Sequence, residues 1–199
     1  MNYEKKWSEG MSYDHYRSLI TDLLKHDKTT GNNQSEELTQ YTALNEKRMA
    51  RIDKTVKINE ELVSELRNQS DLQIMVITEA WCGDAAQSVP VINAVAKEAG
   101  IEVRHFLRDQ HEGLMDQHLT NSARSIPILL FFDSKSDNIV FKWGPRPAEL
   151  QRKVLDYKTL EGDKPSYDKF LEDVQLWYAG DKFRTMQNEW LSLITDYYG

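Results

Sequence analysis

Apolar residues fall on two rhythms along this chain, and the changes between them mark its organisation. Between Ser12 and His26, Tyr16, Leu19, Ile20, Leu23 and Leu24 recur at helical spacing behind a capping Ser12, with Asp14 in the first turn. The polar stretch Thr29-Thr30-Gly31-Asn32-Asn33-Gln34 then breaks the helix. From Ser35 to about Gln69, Leu38, Tyr41, Leu44, Ile52, Val56, Leu62 and Leu66 resume intervals of three and four with no Pro or Gly. That spacing predicts one long helix, or two joined around 54–59. Clean heptads are not sustained, so the expected use is packing on the following domain and not a coiled coil.

At Leu72 the rhythm changes. Ile74-Met75-Val76-Ile77 is a continuous apolar run, as expected of a central parallel strand buried on both faces. From Gly83 to about Ala99 a helical stripe of Val89, Ile92, Val95 and Ala96 follows, with a kinking Pro90 inside and Gly100 as C-cap. Alternation over 101–107 predicts a second strand, and Leu114, Met115, His118 and Leu119 a short helix. Ile126 to Phe132 begins a third strand, 133–138 turns it and 139–143 returns as a hairpin partner. Gly144-Pro145-Arg146-Pro147 breaks the chain before a helix over 148–155. In the tail, Tyr167, Phe170, Leu171, Val174, Trp177 and Tyr178 form one helical stripe and Phe183, Met186, Trp190, Leu193 and Ile194 another, separated at Ala179-Gly180-Asp181. Both tail helices are expected to pack on the core or on a second chain. The pattern divides the chain into an N-terminal helical extension (1–70), a strand-and-helix domain (71–160) and a C-terminal helical extension (161–199).

Composition narrows the function. With 199 residues, 40% hydrophobic and 29% charged, the chain suits a single core. A net charge of −7 argues against general affinity for nucleic acid or anionic lipid. The N-terminus has no apolar signal segment and no run is long enough for a membrane span, so the expected location is cytoplasmic. His15, His26, His105, His111 and His118 show no metal-ligand spacing, and there is no Gly-rich phosphate loop, so no metal and no cofactor are expected. His105 is either a base near the candidate site or a satisfied strand histidine.

The one cysteine, Cys82, follows the apolar strand and begins the helix at Gly83. No internal disulfide is available, so any disulfide joins Cys82 to another molecule or to a second copy of the chain. Unpaired N–H groups at a helix start favour an anion, and the expected effect is a lowered thiol pKa.

Trp81-Cys82-Gly83, Pro90, Pro127 and Trp143-Gly144 together resemble the thioredoxin family. More narrowly, Trp81-Cys82-Gly83-Asp84-Ala85, Arg124-Ser125-Ile126-Pro127 and Trp143-Gly144-Pro145-Arg146-Pro147 are similar to a bacterial cytosolic group with an N-terminal helical extension, whose pattern is Trp-Cys-Gly-Asp-Cys, Arg-Ser-Ile-Pro and Trp-Gly-Pro-Arg-Pro. The resemblance covers about Leu72 to Leu155. It implies an α/β, thioredoxin-like fold, a central mixed sheet flanked by helices, in which Pro127 is a cis-proline facing Cys82. The 124–127 loop would lie beside the sulfur, with Ile126 offering its backbone N–H and C=O to an extended peptide and Trp81 an apolar wall. Arg124 and Arg146 are candidates to favour the thiolate, which Asp84 opposes by charge.

The sequence departs from the family at two positions. Ala85 stands where dithiol thioredoxins carry the resolving cysteine, and Val76 where many carry a buried acid. One reading is therefore a monothiol protein, in which Cys82 exchanges with protein or low-molecular-weight thiols and disulfides and an external thiol resolves. The other is a redox-inactive thioredoxin-fold module for binding or assembly. A third is a Cys82-linked homodimer that senses oxidant.

Overall fold

Four consecutive residues, Ile74, Met75, Val76 and Ile77, are fully buried. Neighbouring side chains on a strand point to opposite faces, so both faces of their strand are covered. The computed structural model, which describes residues 2–199, places that strand, β1 (Leu72–Thr78), inside a four-stranded mixed sheet of order β2-β1-β3-β4. α5 (Gly83–Ala99) carries the chain from β1 to the parallel strand β2 (Val103–Leu107). β3 (Ile128–Asp133) lies antiparallel on the other side of β1, and β4 (Asn138–Trp143) closes a hairpin with a bulge at Phe131/Phe132. The chain thus has an α/β, thioredoxin-like fold.

The remaining helices among the described residues are α1 (Tyr3–Trp7), α2 (Tyr13–Leu24), α3 (Glu36–Thr55), α4 (Glu60–Arg67), α6 (Glu112–Met115), α7 (Ala148–Thr159), α8 (Tyr167–Asp181) and α9 (Arg184–Tyr198). None is long and apolar enough to cross a membrane. Ser12 and Ser35 cap α2 and α3, each hydroxyl accepting from the N–H three residues on. The 35–69 stretch is two helices. Val56 is extended, and the Asn59 side chain caps α4 by accepting from the N–H groups of Glu61 and Leu62. One apolar core runs from Tyr16 and Ile20 in α2, through β1 and α5, to Trp190 and Ile194 in α9.

Several boundaries differ from the pattern's prediction. α1 is too short to show a period; Asn2 caps it, and it lays Tyr3 and Trp7 against Phe132. β3 begins at Ile128, after a cis Ile126–Pro127 peptide bond, and α6 ends at Met115, leaving His118 and Leu119 outside it. α7 continues to Thr159. α8 runs through Ala179-Gly180-Asp181 and ends only where Lys182 and Phe183 turn left-handed, with φ of 54° and 63°. A glycine weakens a helix without stopping it.

α9 is built into the core. Trp190 is fully buried, edge-on to Trp143 at 5.3 Å between ring centres. Gln187 accepts from Asn59 N (2.8 Å) and donates to the Lys57 carbonyl (3.1 Å), sealing the α3–α4 junction. Glu189 accepts from Trp143 Nε1 (2.6 Å) and from Ala148 N (2.8 Å), giving α7 the cap that Pro147 cannot supply.

His105 proves structural. Asn93 Nδ2 also donates to the Val89 carbonyl, so it donates to His105 Nε2 (2.9 Å), and Nδ1–H must then donate to the Met11 carbonyl (3.2 Å). The ring stacks on Tyr16, fully buried and neutral, its pKa pushed down to about 4 by burial. In the unfolded chain an ordinary histidine takes its proton near pH 6.5. Stability from neutral His105 is therefore complete above pH 6.5 and is lost as pH falls toward 4. His118, shifted to about 4 chiefly by burial, acts in the same direction. We expect denaturant midpoints to fall between pH 6.5 and 4, with about 3 kcal/mol from His105. A flat profile over that window in wild type would contradict this account.

Candidate functional site

The turn after β1 sets Cys82 at the head of α5, where it is itself the N-cap. Its backbone is extended (φ −78°, ψ 117°), and Sγ accepts from Ala85 N at 3.5 Å. The thiol donates to the Ile126 carbonyl at 3.4 Å. Ile126, which precedes the cis Pro127, reaches the cysteine, but it is buried and its carbonyl is taken by the thiol. The open peptide-binding edge expected there is absent in this conformation.

The expected lowering of the Cys82 pKa is also overturned. Only 8% of the residue is exposed. Burial foremost, then the charge of Asp84, pushes the thiol up to about 12, against weaker opposing effects of the Ala85 N–H and Arg146. At neutral pH the thiol is therefore held protonated.

Asp84 organises the surroundings. Its Oδ2 accepts from Arg146 Nε (3.0 Å) and Nη2 (2.5 Å), and its Oδ1 accepts from the Tyr178 hydroxyl (2.9 Å). Arg146 comes from the loop after β4, and a third nitrogen, Nη1, donates to Gln151 on α7 (2.7 Å). Its charge is therefore largely offset by Asp84, and only a weak effect reaches the sulfur. Arg124 does not serve the thiolate either, since its exposed guanidinium pairs with Asp116 and Glu112. Trp81 is half-buried with the Arg108 guanidinium over its ring, 4.8 Å from the centre, and walls the turn.

Two helices outside the strand-and-helix core cover the head of α5. A Cβ on Gly83 would lie 3.3 Å from Gln175 Nε2 on α8 and 3.9 Å from Arg48 Nη1 on α3. Gln87, one turn into α5, donates to Gln175 at 2.6 Å. Ala85 is buried.

Sequence reasoning missed four participants: Tyr178, Gln175, Arg48 and Glu79. The first two looked like ordinary positions of a tail helix. Arg48 donates to Asn45, whose Nδ2 donates to the Ala80 carbonyl (2.9 Å), and this i, i+3 polar pair on an otherwise apolar-facing helix was the available signal. Glu79 is a fully buried acid three residues before Cys82, and burial raises its pKa. Its Oε1 accepts from Asp109 N (3.0 Å). Thr30 accepts from Ala80 N (2.8 Å) and Asp109 from Asn32 N (3.0 Å), which stitches the 29–34 loop to the same edge. Among the described residues no group of three or more His, Cys, Asp or Glu is arranged to hold a metal.

A family model described as Thioredoxin matches residues 31–160. Among solved structures, the chain is similar to a protein of unknown function from Pseudomonas aeruginosa (16% identity, TM-score 0.59, 98% of each chain covered). It is also similar to an HIV epitope-scaffold (17% identity, TM-score 0.52, covering 94% of this chain and 99% of the other). At such identities the likeness is one of fold. No curated protein matches the chain.

Two substitutions test this construction. Asp84→Asn removes the like charge and releases α8, so iodoacetamide alkylation of Cys82 at pH 8 should speed up about tenfold or more, with a stability loss of about 3 kcal/mol. An unchanged alkylation rate would refute the role given to Asp84. Gly144 has φ +124°, and a Cβ there would lie 2.3 Å from the Pro127 carbonyl oxygen. Gly144→Ala should cost about 2–4 kcal/mol in urea unfolding.

Proposed function

The chain belongs to the thioredoxin family, and from that premise we propose that it works as a thioredoxin-fold binding or assembly protein whose cysteine is held out of redox chemistry. Within the family we place it with the bacterial cytosolic group that carries an N-terminal helical extension, on its three motifs around Cys82, Pro127 and Trp143. The observation that carries the functional reading is the state of the thiol. Cys82 is buried, donates to the Ile126 carbonyl and is held protonated by burial and Asp84. Thiol–disulfide exchange needs a thiolate with access to a disulfide sulfur, and both conditions fail here together. Ala85 removes the resolving thiol as well, so no second thiol offsets the loss. The same burial argues against a Cys82-to-Cys82 bond between two copies.

Monothiol exchange is the second reading, favoured by one observation: the Ala85 N–H is already aimed at Cys82 Sγ. With α8 displaced, that donor would face an accessible sulfur, and an external thiol would complete the cycle.

Reduction of a glutathione mixed disulfide at pH 7 separates the two readings. Wild type and Cys82→Ser should both stay at background, and the variant should keep its melting temperature within a few degrees, as a near-isosteric change permits. Turnover by wild type that disappears in Cys82→Ser would establish the monothiol reading instead.

A further inference from the structure

α8 and α9 are fifteen residues each and meet at one turn, yet they are held differently. α9 buries Met186, Gln187, Trp190 and Ile194, whereas α8 buries Val174 and Tyr178 alone. Every residue from Lys158 to Lys169 is exposed, so the chain enters α8 from a segment with no packed side chain to fix it. That segment meets α7 at Tyr157, whose hydroxyl donates to the Pro165 carbonyl (2.9 Å) and whose ring lies beneath the Lys164 ammonium (4.3 Å). At its far end α8 stops at the consecutive left-handed residues Lys182 and Phe183, beyond which α9 has its own anchors in the core.

Along its length α8 reaches the rest of the chain through a few separate contacts. Tyr178 donates to Asp84 (2.9 Å), Gln175 accepts from Gln87 (2.6 Å), and Trp177 Nε1 donates to Glu149 at the surface (3.1 Å). Phe170 stacks on Tyr157 with 3.9 Å between ring centres. Among the described residues its only ion pairs, Lys169 with Glu172 and Asp173, lie within the helix itself. The seam with α5 is also incompletely paired, since Gln87 is 3% exposed and its Oε1 has no hydrogen-bond partner among the described residues. A buried amide oxygen without a donor penalises the closed arrangement, and it gains one from water when the seam parts.

We infer that α8 is a lid on the head of α5, hinged at the turn after Tyr178, which opens as a unit while α9 and the sheet stay folded and thereby makes Cys82 accessible. Opening breaks the Tyr178–Asp84 and Gln175–Gln87 bonds together, because both side chains leave on one helix. Asp84 keeps Arg146, which belongs to the loop after β4 and not to the lid. Elements that admit a partner are drawn from the least stable part of a fold, and α8 is built as such an element. The lid rests on the reading of this chain as a binding protein whose cysteine is held out of reach, and it names the element that regulates that site.

Hydrogen exchange and cysteine labelling on the full wild-type chain test it. Amides of α8 should exchange at least about a hundredfold faster than those of α9. Cys82 alkylation by iodoacetamide, followed up to about 1 M urea, should share the shallow urea dependence of the α8 amides and not the steep one of α9, because a local opening exposes little surface. Tyr178→Phe removes the bond to Asp84 without emptying its space, and should speed α8 exchange and Cys82 alkylation by one common factor of about five. Leu176→Ala, on the exposed side of α8, should change neither. Exchange of α8 and α9 at one rate, alkylation as steep in urea as α9 exchange, or unchanged α8 exchange in Tyr178→Phe would each overturn the lid. Turnover of a glutathione mixed disulfide would overturn the binding reading and leave these rates as they are, so the two fail separately.

Discussion

The carboxylate of Asp84, one residue into α5, is held from two directions: by Arg146 from the loop after β4 and by Tyr178 from α8. Those partners lie 62 and 94 residues away along the chain. Their meeting at one side chain fixes where the β4–α7 loop and α8 sit relative to the cysteine. A mostly buried ion pair of this kind adds little net stability over an apolar substitute, because desolvation offsets most of the attraction. Its contribution is to specify position. With Tyr178 drawn down to Asp84, Gln175 lies over Gly83, and the head of α5 is closed.

That closure decides the chemistry of the one thiol. A helix terminus typically favours an anion by about 0.3–1 kcal/mol, and by about 2 kcal/mol in favourable buried geometry. Against it stands a rise of the Cys82 pKa from an ordinary value near 9 to about 12, which corresponds to roughly 4 kcal/mol. Burial and the Asp84 charge therefore outweigh the helix end and its N–H donor. The motif that makes a reactive cysteine in a dithiol thioredoxin here makes a protonated one, with the Ile126 carbonyl as its hydrogen-bond acceptor.

How legible this was depends on the range of the interaction concerned. The run Ile74–Ile77, the caps at Ser12 and Ser35 and the stripe on α5 are patterns among near neighbours, and the elements they predict are present. Where the local signal was ambiguous the prediction slipped. Ala179-Gly180-Asp181 reads as a breaker, yet the helix continues, because nothing in those residues prevents the backbone bonds from forming and Lys182 N still donates to the Tyr178 carbonyl. α1 carries no period that five residues can show. In the site, the Ile126 carbonyl meets the Cys82 thiol, while Arg124 pairs with Asp116 and Glu112, acids 8 and 12 residues from it along the chain.

The sequence by itself determined the mixed α/β architecture, the thioredoxin-like placement of Cys82 at a helix head and the absence of a second cysteine. Hydrophobic period and residue identity are properties of short stretches, and they survive without knowledge of what packs where. Only the tertiary structure decided that Cys82 is covered and that Asp84 belongs to Arg146 and Tyr178. Desolvation and charge act through space, and the groups that exert them here come from segments the chain brings together only on folding.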